Sequence, residues 1–118
     1  MSRLTTHVLD TASGRPAAGV VIAVHALDAS GRREEVARTT TNDDGRCDRP
    51  LLEGAAFRRG TYEIVFEVGA HFARSGMELP DPPFVGDVVL RVGIADPSRH
   101  YHVPLLVSPW SYSTYRGS

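Results

Sequence analysis

The polar chemistry available to this chain resides in three side chains and its end: His7, Arg46, His102 and the closing Ser111-Tyr112-Ser113-Thr114-Tyr115-Arg116-Gly117-Ser118. An imidazole takes or gives a proton near pH 7, and a guanidinium offers a planar fork of donors to a planar polar ligand. Each also has an ordinary structural explanation. A histidine on a short N-terminal strand is more often a satisfied structural residue, and an arginine just after a turn is more often solvated. These members stand on separate strands or loop edges, so the residues alone leave open whether they meet.

Other chemistries find less support. The chain has no phosphate loop, metal-ligand pair or Gly-x-Ser-x-Gly elbow. His100-x-His102 has a two-ligand look, but we place the two side chains on opposite faces of a strand, and no Cys or carboxylate cluster accompanies them, so no metal is expected. All 13 basic residues are Arg, and the formal net charge is -1. That balance points to neither nucleic acid nor an anionic membrane surface. A lone cysteine, Cys47, cannot form an internal disulfide, and neither a signal nor a membrane-length apolar run is evident, so a cytoplasmic, reducing location is expected. The 118 residues, 42% of them hydrophobic, suffice for one domain with one core over residues 1–118.

The elements that must position these groups read as short strands. In Leu4–Leu9, Leu4, Thr6 and Val8 alternate with Thr5, His7 and Leu9 before Asp10–Pro16 turns the chain. Gly19–Leu27 is apolar on both faces and should be central, with His25 structural. Asp28–Gly31 turns into a polar strand, Glu34–Thr41, and Asn42-Asp43-Asp44-Gly45 turns again just before Arg46. Thr61–Val68 puts Tyr62, Ile64, Phe66 and Val68 inward, with Glu63 and Glu67 outward. Ala70–Gly76 is the one helical turn, and a proline-rich loop leads to Asp87–Ile94. In the last strand Tyr101, Val103, Leu105 and Val107 face the core. His102, Pro104, Leu106, Ser108 and Trp110 face a surface too apolar for water, so a second subunit is expected there. The tail, with two tyrosine rings to bury, should be tied down. Together these features describe an all-β antiparallel sandwich.

Leu4-Thr5-Thr6-His7-Val8-Leu9-Asp10, Thr41-Asn42-Asp43-Asp44-Gly45-Arg46 and His100-Tyr101-His102-Val103-Pro104-Leu105-Leu106, with the closing Tyr115-Arg116-Gly117-Ser118, resemble the 5-hydroxyisourate hydrolases. These are transthyretin-like enzymes of purine catabolism, and the resemblance covers essentially the full length. It implies a sandwich of two four-stranded sheets with one short helix, in a homotetramer whose channel holds the active sites. His7, Arg46 and His102 match the family's catalytic positions, and Ser118 its terminal serine. Arg46, Tyr115 and His7 would bind the substrate, 5-hydroxyisourate, whose ring opens at an amide-like carbonyl without any cofactor. Transthyretin, the hormone carrier of the same fold, shares Ser-Tyr-Ser-Thr but continues into an apolar strand. A carrier of a small aromatic ligand is therefore the alternative, and an adhesion sandwich a more distant one.

Overall fold

A computed structural model of the chain describes residues 2–117. In chain order the elements are β1 (Arg3–Asp10), β2 (Arg15–Pro16), β3 (Val21–Leu27), β4 (Arg33–Thr40), β5 (Leu52–Glu53), β6 (Gly60–Phe66), α1 (Val68–Arg74), β7 (Val88–Ile94), β8 (Tyr101–Val107) and β9 (Tyr112–Thr114). They form two sheets, one ordered β4-β3-β6-β7 and the other β2-β1-β8-β9 with β5 also paired to β1. The apolar β3 takes a central place, as its two-sided pattern requires.

The inner faces meet as the alternation predicts. Leu4 and Val8 of β1, Ile22 and Val24 of β3, Ile64 and Phe66 of β6, Val88 and Ile94 of β7, and Leu105 and Val107 of β8 are buried together. Thr6 shares the inward row of β1, and its hydroxyl satisfies itself by donating to the Val103 carbonyl at 2.6 Å. Asp10 ends that row and folds the next turn, accepting from the amides of Ala12 and Ser13 at 2.9 and 3.0 Å. Its other oxygen holds His71 Nε2 at 2.9 Å, which ties α1 to the end of β1.

The two-sheet sandwich stands, with several local departures. One strand pair, β1 with β8, is parallel. Its strands are joined through the whole of the other sheet, a crossover long enough to permit parallel pairing. Val68 begins α1 instead of ending β6, and Phe72 one turn later is its second buried anchor. Leu52 lies in a short strand, not a loop, because β1 has an edge to be covered.

Glu63 was expected to face solvent, yet it is only 6% exposed. It does point away from the core, but Arg91 Nη2 and Arg33 Nη1 reach over it at 2.9 and 3.2 Å. The hydrogen bonds from Arg91, then those from Arg33, hold its carboxyl below the usual range against the opposing effect of burial.

The tail is tied down, although not by its rings. Residues of β9 pair antiparallel with β8, Leu105 opposite Thr114 and Val107 opposite Tyr112. Tyr112 and Tyr115 remain 49% and 62% exposed. Trp110 sits beyond β8 in the Ser108–Ser111 turn, exposed, with Phe84 6.3 Å from it between ring centroids. No helix among the described residues is long and apolar enough to cross a membrane.

Candidate active site

The parallel register of β1 on β8 builds the site. Thr5 pairs with His102 and His7 with Pro104, so the outward row of β1 lies beside the outward row of β8. On its other edge β1 is covered by separate pieces, β5 near Arg3 and β2 near Asp10. Between those pieces the turn after β4 reaches β1, and His7 pairs with Arg46.

That turn is assembled by Asn42. Its Oδ1 accepts from the backbone amides of Asp44 and Arg46 at 2.9 and 3.2 Å, and its own backbone N–H donates to the Arg46 carbonyl at 2.7 Å. Gly45 then takes φ of 73° and lies so close to β1 that an added Cβ would run into the Val8 carbonyl oxygen. Only glycine satisfies both conditions. Val8 donates to Gly45 at 2.8 Å, so the turn and the strand are locked together with Arg46 at their junction.

A cleft of about 390 Å³ opens beside this junction, lined by Arg3, Thr5, Arg46, Asp48, His100 and His102 among others. Its size suits a single small molecule. Cys47 also borders it. Burial pushes the Cys47 thiol up, and neighbouring Asp48 adds to that, so this cysteine is a poor nucleophile near pH 7.

His102 is half-buried, and its imidazole is held below the ordinary value. Desolvation is the main cause, followed by the charges of Arg46, His100 and His7. A neutral ring with a lone pair results, as water activation requires. His7 is arranged otherwise. Its Nε2 lies 2.8 Å from the Asp44 carbonyl oxygen, which can only accept, so Nε2 carries the proton and donates it there.

His100 and His102 lie on the same face of the strand, not on opposite faces as the sequence reading had it. Residues two apart on an extended chain point the same way. Their rings stack at 6.5 Å with an interplanar angle of 11°, and both reach the Thr5 hydroxyl. No cluster of three or more His, Cys, Asp or Glu side chains suited to a metal occurs among the described residues.

The tail closes one side. Gly117 pairs with His102 through the backbone, Arg116 donates to the His100 carbonyl at 3.2 Å, and its guanidinium stacks 4.2 Å over the Tyr101 ring. Ser118 lies outside the described residues. Tyr115 borders a separate cleft of about 280 Å³ against Val92 and Ile94, not the one that holds His102. Of the residues expected at the site, Arg46 and His102 line the cleft and His7 adjoins it by pairing with Arg46, while Thr5 and Arg3, not singled out from the sequence, and His100, weighed there only as a metal ligand, line it as well. The available signal was the shared outward parity of Thr5 and His7, which fixes a face but not its neighbour.

Known proteins place this geometry in a family. The chain is 59% identical to 5-hydroxyisourate hydrolase 2 of Rhizobium meliloti (strain 1021) over 117 residues, covering 98% of this chain and 96% of that protein. It is 54% identical to the 5-hydroxyisourate hydrolase of Ralstonia nicotianae over 118 residues, the full length of both. Among solved structures it superposes on (S)-allantoin synthase with a TM-score of 0.92 at 48% identity, matching 98% of this chain but only 43% of that longer one. With the HIUase/Transthyretin family matching residues 4–117, the chain belongs to that family.

Proposed function

We propose that this protein is a 5-hydroxyisourate hydrolase, opening the six-membered ring of its substrate to give 2-oxo-4-hydroxy-4-carboxy-5-ureidoimidazoline. The observation that carries this reading is the full-length identity of more than half to proteins bearing that name, joined to a cleft containing a neutral His102 beside Arg46. A carrier would need the pocket without the titratable groups. Here the groups are present.

In this reading His102 accepts a proton from water, and the resulting hydroxide adds to the ring carbonyl. Arg46 faces the oxygen as it gains charge, and its planar fork holds the substrate's polar edge. The carbon–nitrogen bond then breaks. The leaving nitrogen takes the proton back from the histidine, and the new carboxyl group, still part of the ring-opened product, gives its proton to solvent and becomes a carboxylate. His7 has its Nε2 proton committed to Asp44, so it serves the site by orientation and by its remaining nitrogen, Nδ1. Ser118, next after Gly117, is assigned to orienting water or a histidine.

The active form is a homotetramer in this proposal. Half-buried Leu9 and Leu106 sit on the same outward face as the site, and exposed Trp110 and Phe84 add apolar surface for a partner. The direct test is to generate 5-hydroxyisourate with urate oxidase and follow its ultraviolet absorbance with and without this protein. Accelerated decay supports the reading; an unchanged decay in the presence of folded protein rejects it.

A further inference from the structure

The two histidines of the cleft share one hydroxyl. Thr5 Oγ1 lies 2.8 Å from His102 Nδ1 and 3.2 Å from His100 Nε2. A hydroxyl has one proton to give, so it can donate to only one of the two rings, and at least one of the two bonds is an N–H donated to it. The tautomers of His100 and His102 are thereby linked. When His102 presents a lone pair at Nε2, its Nδ1–H donates to Thr5, and Thr5 donates to Nε2 of His100. When the hydroxyl is reversed, His102 Nε2 carries a proton and can act as an acid.

We propose that Thr5 is a positioning residue that sets the tautomer of His102 and relays one proton between His102 and His100 during turnover; this deepens the hydrolase reading and rests on it. As water is activated, its proton bonds to His102 Nε2, the Nδ1 proton passes to Thr5 Oγ1, and the Thr5 proton passes to His100 Nε2. His102 stays neutral, now protonated at Nε2, and His100 becomes the imidazolium. When the Nε2 proton goes to the leaving nitrogen, the two transfers reverse, and all three groups return to their starting state. No proton is gained or lost by the chain.

The surroundings favour this division of labour. Charge on His102 would be opposed first by the desolvation of its deeper position and then by the charges of Arg46, His100 and His7. His100 is also held below its ordinary value, by desolvation first and then by positive charges that include Arg3 and Arg116, but it is the less deeply buried ring, so burial penalises the transient charge less there. The cross-strand pairing of Thr5 with His102 fixes the hydroxyl where both rings meet it.

Thr5→Val removes the hydroxyl while keeping a branched side chain that suits a strand, and Thr5→Ser restores the hydroxyl. Thr5→Val should lower kcat by about ten- to a hundredfold with KM little changed, less than the loss on removing a general base itself. Its pH profile should be displaced, and Thr5→Ser should recover most of the activity. Imidazole 15N spectra of the resting protein, above the range in which the rings titrate, give a readout that needs no substrate. Wild type should hold His102 protonated at Nδ1, and Thr5→Val should lose that preference. An unchanged tautomer in Thr5→Val overturns the link even if wild type is an active hydrolase. If wild type fails to act on 5-hydroxyisourate, the hydrolase reading falls and with it the relay, while the spectra still decide whether Thr5 sets the tautomer.

Discussion

The Gly117 amide donates to the His102 carbonyl at 2.6 Å, and a Cβ added at Gly117 would stand 3.1 Å from His102 Cδ2. Glycine is needed here for close approach, since Gly117 does not have the positive φ seen at Gly45. Gly117 thus packs against the ring proposed to activate water.

Gly117→Ala should push His102 by a few tenths of an ångström and lower kcat by about tenfold, because catalytic geometry tolerates little displacement. Thermal unfolding should hardly move. Turnover at the wild-type rate would show that the ring has slack.

His102→Ala should reduce turnover by about two to four orders of magnitude, the range for a lost general acid or base. His7→Ala should have a smaller effect, since its Nε2 is bound to the Asp44 carbonyl and the change loosens the turn that carries Arg46. Steady-state kinetics on both variants checks the ranking. Equal losses would assign His7 a proton-transfer role of its own.

The pH profile follows from the depressed imidazole of His102. Activity requires the neutral ring, so it should fall as pH drops through that lowered value, placing the acid limb below the ordinary histidine pKa of about 6.5. Removing the Arg46 charge makes the imidazolium easier to form. Arg46→Met should therefore shift the limb toward higher pH as well as lowering the rate, and Arg46→Lys should restore the limb without restoring the rate. A limb that stays in place in Arg46→Met would remove Arg46 from the causes of the depression and leave it to desolvation and the other two histidines.

Asp10 is a stability prediction. Burial works to raise its carboxyl, but the bonds from His71, Ser13 and Ala12 outweigh it and leave the group lowered. A carboxyl depressed in the folded state stabilises above its unfolded value of 3.8, and that gain is lost as pH falls through the folded value. Asp10→Ala should cost roughly 1–3 kcal/mol near neutral pH by removing the buried carboxylate that accepts from His71 and from the Ala12 and Ser13 amides. The deficit should shrink in acid. Urea unfolding at several pH values measures it, and a deficit independent of pH would assign the loss to packing.

Leu106→Asp tests the assembly. A carboxylate placed on the outward face of β8 should split the proposed tetramer, because a charge buried there against a partner would be uncompensated. Sedimentation velocity reports the outcome. A variant that remained tetrameric would move the interface to another face.

Local order was legible in the residues because it depends on near neighbours. Leu4, Thr6 and Val8, or Tyr62, Ile64 and Phe66, alternate with the strand's period of two, and that parity alone told inside from outside. Asp10 and Asn42 fold their turns with their own side chains, so those bends too were written within a few residues. Family resemblance added His7, Arg46 and His102 as a set. What the sequence left open was which strands lie side by side. Thr5 and His102 are 97 residues apart, and only the parallel docking of β1 on β8 gives their rows a common register. The burial of Glu63 likewise needed Arg91 to arrive from the adjacent β7 and Arg33 from β4, two strands away. Pairing over such distances is decided by how the two sheets close on one core, a free energy shared by the whole chain and carried by no single stretch of it.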